Sequence, residues 1–177
     1  MAPHSEHRKA GPSATVIAAA RHWLGTPYHD QASVLGVGCD CLGLARGVWR
    51  DVCGTEPLAI PPYSRDWGEA GPREVLAEAV RAVMVEIDPR RRGPGALILF
   101  RMRAGAIAKH CGILVTGTRF IHAYERRGVI EELLTPAWSR RIDFAFLFPH
   151  PENGQTPPIT VVTTARTSTL RGKPILQ

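Results

Sequence analysis

The stretch that decides the fold is Gly36-Val37-Gly38-Cys39-Asp40-Cys41-Leu42-Gly43-Leu44-Ala45-Arg46-Gly47-Val48-Trp49. It joins a glycine-rich loop to a segment whose apolar residues recur with helical spacing, and Cys41 lies at the join. The free N–H groups and the positive dipole end of a helix N-terminus favour a thiolate. A cysteine placed there can have its pKa lowered from about 8.5 to about 3.5–7.5. Cys41 is therefore either a nucleophile or a small buried residue.

Composition predicts one compact domain with extensions, because the chain has 177 residues of which 44% are apolar. The net charge of +6 indicates either a solvated basic surface or attraction to an acidic partner, such as a cell wall, a nucleic acid or a neighbouring subunit. Nucleic acid is not expected as a specific ligand, because no basic motif is interleaved with aromatic residues. The N-terminus lacks the apolar region of a secretory signal, and no apolar run approaches the roughly 18 residues of a membrane span. We therefore expect synthesis in the cytoplasm.

Helical patterns precede strand patterns along the chain. Apolar spacing predicts helices over 13–24, with Ser13 as N-cap, then over 41–52, and over 72–87 beginning at Pro72. Short runs of β-forming residues predict strands over 96–101, 110–115, 119–124, 129–134 and 142–148, with a helical turn near 136–139. This order predicts an α+β fold, with N-terminal helices packed on a small antiparallel sheet. From composition we expect residues 1–12 to be a polar arm, 13–150 the domain, and 151–177 an extended tail.

The four cysteines, at positions 39, 41, 53 and 111, do not form a disulfide framework. Cys39 and Cys41 are too close in sequence to bridge easily, and a chain of this size folds without disulfides. We expect Cys39, Cys53 and Cys111 to be reduced core residues.

A zinc site is the rival interpretation, and it would use some of Cys39, Cys41, His110, Cys111 and His122. The chain has no Cys-x-x-Cys pair among them. Adjacent residues of a strand also point to opposite faces. We therefore predict no metal and no cofactor.

Two histidines lie in neighbouring predicted strands and supply a base for the thiol. A three-residue turn at 116–118 places His122 opposite Gly112, so that His110 and His122 share a face as diagonal neighbours about 7–8 Å apart at Cα. Gly112 leaves room beside His122, and Cys111 points to the opposite face. A turn of two or four residues would separate the histidines. A cysteine nucleophile requires such a base together with a group that orients it.

Four motifs carry a family resemblance, and they are Leu24-Gly25-Thr26-Pro27-Tyr28, Asp40-Cys41-Leu42-Gly43-Leu44, His110-Cys111-Gly112-Ile113 and Phe120-Ile121-His122-Ala123. In order and spacing they resemble the NlpC-type cell-wall cysteine peptidases, which have a papain-like fold. The strand over 94–100 also resembles the family strand that precedes the base histidine. The resemblance covers about 16–149.

The resemblance implies hydrolysis of amide bonds in the stem peptides of peptidoglycan. By motif match Cys41 is the nucleophile, His110 the general base and His122 the residue that orients His110. Tyr28 matches the tyrosine that helps to stabilise the oxyanion, together with the backbone N–H of Cys41. Asp40 matches a residue that can hold the free amine of the stem peptide.

The chain departs from the family pattern in three places. These departures bear on which substrate is preferred more than on which reaction is catalysed. Leu42 stands where the family often has serine, and Cys111 where it usually has an apolar residue. After Tyr28 the chain reads His29-Asp30-Gln31 instead of an aromatic-glycine stretch.

Leu42, the expected lack of an export signal, the compact size and the Pro/Thr-rich tail resemble the subgroup found in phage tails and gene transfer agents. This predicts a tail-hub or tail-tip component that opens the cell wall of a target cell for DNA delivery. It would act in the cell wall or the periplasm of that cell. The termini would contact other tail proteins. One mode of contact would be strand addition through 159–162. Two alternatives stay open, which are a structural tail component with an idle peptidase fold and an amidase or acyltransferase with the same triad.

Overall fold

The structure is a computed structural model, and it describes residues 11–63 and 71–150. The helices are α1 Pro12–His22, α2 Cys41–Cys53, α3 Val75–Arg81 and α4 Pro136–Ser139, with a 3₁₀ turn at Pro89–Arg91. The strands are β1 Ser33–Val34, β2 Gly38–Cys39, β3 Val85–Ile87, β4 Leu97–Phe100, β5 His110–Thr116, β6 Arg119–Tyr124, β7 Gly128–Leu133 and β8 Ile142–Leu147.

Within the described residues, one antiparallel sheet of six strands has the order β3-β8-β4-β5-β6-β7. Strands β4 to β7 follow one another along the chain, and β8 returns to lie between β3 and β4. Strands β1 and β2 pair separately as a short hairpin before α2. Helices followed by an antiparallel sheet confirm the predicted α+β class.

The sheet has an apolar layer on each face. Helices α1 and α2 pack through Val16, Leu44 and Val48 into the larger cluster, which includes Ile113 and Ile121 of the sheet. The opposite face carries a smaller cluster, with Phe100 and Phe120 at its centre and Trp138 of α4 against them. Burial of apolar surface at about 25 cal/mol per Å² drives both layers. Helix α2 is thereby held against β5 and β6.

The predicted helix over 72–87 is wrong in its second half. Helix α3 ends at Arg81, and Val85–Ile87 forms an edge strand that pairs antiparallel with β8. Val85 and Ile87 are partly buried while Glu86 between them is exposed, which is a two-residue period. Pairing with β8 satisfies backbone groups that a sheet edge would otherwise leave free, and this outweighs helix propensity.

The start and the end of α1 also differ from the prediction. The N-cap is Gly11, and within the described chain Ser13 makes no capping bond to α1. Pro12 occupies the first helical position, where a fixed φ and a missing N–H are tolerated. Leu24 is 41% exposed instead of buried on the apolar face, because the helix ends at His22.

The five strands predicted from 96 onward are confirmed to within about two residues at each end. The predicted register of β5 and β6 is confirmed as well, since Ile113 pairs with Ile121. The turn itself has two residues, because Thr116 pairs with Arg119. An irregularity between Leu114 and Thr116 shifts the register by one residue. This shift compensates for the shorter turn, so the predicted alignment of β5 with β6 is restored at Ile113. Both histidines therefore lie on one face.

Part of the notable sequence lies outside the described residues. This applies to most of the polar arm, to 64–70 of the long connection, and to the tail with its segment 159–162. None of the helices in the described chain is long and apolar enough to cross a membrane.

Candidate active site

Cys41 is the first residue of α2, and its position is set by Asp40 before it. Asp40 is the N-cap, and its Oδ1 accepts a hydrogen bond from the N–H of Gly43 at 2.7 Å. Cys41 is half-buried in the wall of a cleft of about 250 Å³, which His110, Tyr28 and Tyr63 also line. The carbonyl oxygen of Lys109 lies 3.9 Å from Cys41 Sγ. The thiol therefore faces the beginning of β5.

The surroundings of Cys41 favour its thiolate. Its pKa is lowered well below the ordinary value, first by the neighbouring Cys111 thiol and further by the charge and hydrogen bond of His110. Burial opposes this effect. The same contact with Cys41, together with burial, raises the pKa of Cys111 well above its ordinary value. Of the two thiols, Cys111 therefore keeps its proton and Cys41 is the one that ionises.

Cys111 is buried as predicted, at 1% exposure, but it is more than a core residue. Its sulfur lies 3.1 Å from the carbonyl oxygen of Cys41. Strand parity indicates only that Cys111 faces the helices, and the packing of α2 decides which helical residue it meets.

The histidine pair is in direct contact. His110 Nε2 lies 2.8 Å from His122 Nδ1. His110 begins β5 and is half-buried, whereas His122 lies inside β6 and is fully buried. Gly112 is needed beside them, because a Cβ there would lie 2.9 Å from Phe120 Cδ2 and 3.2 Å from His122 Cβ. The predicted proximity of the two histidines is confirmed.

A carboxylate that the sequence did not single out completes the line. Glu132 of β7 places Oε2 3.0 Å from His122 Nε2, and its Oε1 lies 3.4 Å from Nη1 of Arg127. Glu132 pairs with Phe120 across β6 and β7, which puts it on the same face as His122. Only the register distinguishes it from Glu131, which bonds Arg119 instead.

Aromatic rings enclose the histidine pair, and they are Phe100, Phe120, Tyr124 and Trp138. The closest is Phe120, whose ring centroid lies 4.5 Å from that of His122. Trp138 of α4 covers both histidines, at 5.9 Å from His110 and 5.3 Å from His122. Burial lowers the pKa of His122 to about 3, and the charges of His110 and Arg127 add to this effect. His122 therefore stays neutral at physiological pH.

Asp40 is already engaged by the protein at 4% exposure. Its Oδ2 accepts hydrogen bonds from the N–H of Gln31 at 2.8 Å and from the hydroxyl of Tyr63 at 2.5 Å. Its pKa is raised by burial and by the charge of Cys41, while hydrogen bonds from Tyr63, Gly43 and Gln31 counteract this. The predicted contact with a substrate amine stays a prediction. The capping role is the one that the geometry displays.

Tyr63 is a second residue that sequence reasoning missed. It belongs to the connection after α2, which Arg46 and Arg50 tie down through ion pairs with Glu56. Burial and the bond to Asp40 raise the pKa of Tyr63, so its hydroxyl remains a donor. Motif spacing contains no signal for it, since the contact spans 23 residues.

Tyr28 lies between two depressions, the cleft around Cys41 and a second one lined by Tyr124 and Arg126. A parallel bridge to Cys39 fixes its backbone. Its hydroxyl donates to Asp30 Oδ1 at 3.1 Å. Burial, followed by the charge of Cys41, raises its pKa, so the hydroxyl stays protonated beside Cys41. Its role at the oxyanion stays a prediction.

All four cysteines lie in the described residues and are free thiols. Across 11–63 and 71–150, no three His, Cys, Asp or Glu side chains converge in a way that could hold a metal ion.

Comparison with known proteins places this geometry in a family. The model of the NlpC/P60 family matches residues 25–145, well over half of the chain. The chain belongs to the NlpC/P60 family. It is accordingly a cysteine peptidase with a papain-like fold.

Relatives of this NlpC/P60 peptidase include a protein of Escherichia coli K12 described as probable endopeptidase NlpC. The two are 31% identical over 139 residues, which is 72% of this chain and 79% of the relative. The structure of the NlpC/P60 domain of peptidoglycan hydrolase SagA is similar, with a TM-score of 0.51 and 25% identity over 76% of this chain and 97% of that domain. An NlpC/P60 family protein from Bacillus cereus ATCC 10987 shares the fold, with a TM-score of 0.53 and 23% identity. That match covers 75% of this chain and only 39% of the longer Bacillus protein.

Replacing Cys111 by Ala is expected to raise the pKa of Cys41, because the thiolate loses a neighbouring thiol that favours its charge. The thiolate is the form that reacts with iodoacetamide, so the curve of alkylation rate against pH moves to higher pH. At a pH below both midpoints the rate falls about tenfold for each pKa unit by which the Cys41 thiol is raised. Cys53→Ala is the matched control, because Cys53 directs its sulfur to the carbonyl of Pro149 at 3.6 Å. An unchanged curve for Cys111→Ala contradicts the expectation.

Proposed function

We propose that this NlpC/P60 peptidase hydrolyses amide bonds in the stem peptides of peptidoglycan. The observation that carries the proposal is the line of side chains from Cys41 through His110 to His122, in which the two imidazoles are 2.8 Å apart. Cys41 is the nucleophile, His110 the general base and His122 the residue that orients His110. The substrate class is supported by a similar domain that is described as part of a peptidoglycan hydrolase.

The reaction proceeds in two halves. The Cys41 thiolate attacks the carbonyl carbon of the amide, and protonated His110 gives its proton to the leaving amine, which leaves a thioester. A water molecule then attacks the thioester while His110 takes a proton from it. Release of the carboxylic acid regenerates the Cys41 thiolate and protonated His110.

The oxyanion that forms in each half needs hydrogen-bond donors. The backbone N–H of Cys41 lies at the start of α2, where the first N–H groups have no helical acceptor. The Tyr28 hydroxyl lines the same cleft and reaches the oxyanion by turning from Asp30. One such donor contributes about 2.7–4 kcal/mol in the transition state.

Asp40 lines the cleft and accepts a hydrogen bond from the hydroxyl of Tyr63. A buried carboxylate whose donors include a hydroxyl can exchange that donor for an ammonium group. We propose that a free amine of the stem peptide is recognised there, which would place the scissile amide against Cys41.

The biological setting proposed is a phage tail or a gene transfer agent. The chain would be assembled in the cytoplasm into a tail hub or tail tip and would act on the cell wall of the target cell. Leu42 after the nucleophile and the Pro/Thr-rich composition of 151–177 support this setting. Deletion of 151–177 should then remove the protein from purified particles while catalysis by the isolated domain is retained. Unchanged incorporation of the shortened protein would rule out the tail as the assembly contact.

Digestion of purified sacculi tests the reaction. Mass spectrometry of the soluble products should show stem-peptide fragments with a new amine and a new carboxylate. The matched control is the same protein after alkylation with iodoacetamide, which should release nothing above background. An unaltered sacculus after incubation with the untreated protein, or release of free glycan only, would refute the proposed substrate.

A further inference from the structure

The line of hydrogen bonds behind Cys41 does not end at His122. It continues to Glu132, with 2.8 Å between His110 Nε2 and His122 Nδ1 and 3.0 Å between His122 Nε2 and Glu132 Oε2. His122 is fully buried within it, and among residues 11–63 and 71–150 its two ring nitrogens have only these partners to satisfy them. Whether the last group of the line donates or accepts a hydrogen bond therefore decides which ring nitrogens carry protons.

Glu132 imposes one direction on these hydrogen bonds. Its carboxylate pairs with Arg127 through Oε1, and an ionised carboxylate only accepts hydrogen bonds. His122 must therefore carry its proton on Nε2, which leaves a lone pair on Nδ1. His110 must then donate from Nε2, and its Nδ1 is the nitrogen left for Cys41.

We propose that Glu132 is a positioning residue that sets the tautomers of both histidines, so that His110 exchanges protons with Cys41 and substrate only through Nδ1. This inference rests on the proposed roles of Cys41 and His110. The arrangement holds for protonated and neutral His110 alike, since both forms keep a proton on Nε2. With the opposite tautomer, His122 would present an N–H to His110, and neutral His110 would then carry its proton on Nδ1. Such an imidazole cannot accept a proton at the side that faces the thiol.

Glu132→Gln is the informative variant, because glutamine keeps the size of the side chain and can either donate or accept. Glu131→Gln is the matched control, since Glu131 is the preceding residue and pairs with Arg21 and Arg119. Nitrogen NMR of the chain labelled with ¹⁵N-histidine reports which ring nitrogen carries the proton. In the unaltered chain at pH 7, we expect His122 to be protonated on Nε2 alone.

In Glu132→Gln the tautomer protonated on Nδ1 becomes populated. Alkylation of Cys41 by iodoacetamide at pH 7 slows about tenfold, and kcat falls by about 10- to 100-fold with KM unchanged, which is the range found when a carboxylate that orients a metal-bound histidine is altered. Glu131→Gln leaves all of these values as they are. A proton on Nδ1 of His122 in the unaltered chain, or unchanged alkylation in Glu132→Gln, overturns the inference.

The NMR and alkylation measurements need no peptidoglycan. If the tautomer is the expected one and the sacculi stay intact, the proposed substrate is wrong and the role of Glu132 stands. If the sacculi are cleaved and His122 is protonated on Nδ1, the proposed substrate stands and the proposed role of Glu132 is wrong.

Discussion

Cys41→Ala is expected to abolish the release of stem-peptide fragments from sacculi. In the proposed mechanism the Cys41 sulfur is the nucleophile, and alanine has no atom that can form the thioester. The loss in kcat should be at least about 10⁴-fold, comparable to the removal of a serine nucleophile from a catalytic triad. Binding of the stem peptide should persist, because the cleft walls and Asp40 are unchanged. The measurement is the initial rate of fragment release at saturating substrate.

Cys39→Ala is the control two residues away. Cys39 is fully buried, and its pKa is raised to about 12 by burial and then by the charges of Asp40 and Cys41, so it stays an unreactive thiol. Removing one buried sulfur should cost about 1 kcal/mol of stability and leave kcat within a few-fold. Thermal unfolding of both variants shows that each is folded. Activity that survives Cys41→Ala, or that disappears equally in Cys39→Ala, contradicts the assignment.

Gly43→Ala is expected to have the largest effect on stability. A Cβ at Gly43 would lie 1.9 Å from the carbonyl oxygen of Ala32 and 3.0 Å from its carbonyl carbon. Alanine is the better helix former by about 1 kcal/mol, which opposes the clash. The obstacle is backbone of the segment before α2 and cannot rotate away. We expect a net destabilisation of about 1–3 kcal/mol, typical of overpacking.

The same change should also reduce activity, because the N–H of Gly43 is the donor that fixes Asp40 and hence the beginning of α2. Denaturant titration gives the free energy of unfolding, and Gly93→Ala is the control. A Cβ at Gly93 would have no heavy atom within 4 Å. That substitution should be neutral or slightly stabilising, since it mainly restricts the unfolded chain. A Gly43→Ala protein as stable as the original would contradict this expectation. It would show that the backbone of Ala32 moves away from the new Cβ without cost.

Local sequence was sufficient for much of the fold and for the core of the site. Strands β4 to β8 follow from short runs of β-forming residues between turn residues, which are short-range signals. The shared face of His110 and His122 depends only on the parity of the β5–β6 register. That parity survived a two-residue turn because a bulge compensated for it.

The misassigned end of α3 shows where local patterns fail. Val85 and Ile87 fit a helix or a strand by apolar spacing alone, and the open edge of β8 decided between them. A sheet edge is a property of the assembled topology, so no window of sequence around 85–87 contains it.

The sequence by itself determined the nucleophile candidate at a helix start, its two histidines and the α+β order, because each depends on contacts between near neighbours or on strand parity. Only the tertiary structure decided that Glu132 and not Glu131 meets His122, that Tyr63 bonds Asp40, that Trp138 covers the histidines, and that the Cys111 thiol donates to the carbonyl oxygen of Cys41. The reason is physical. Each of these contacts joins separate elements, and strand register and helix packing select the partner from residues that are locally equivalent.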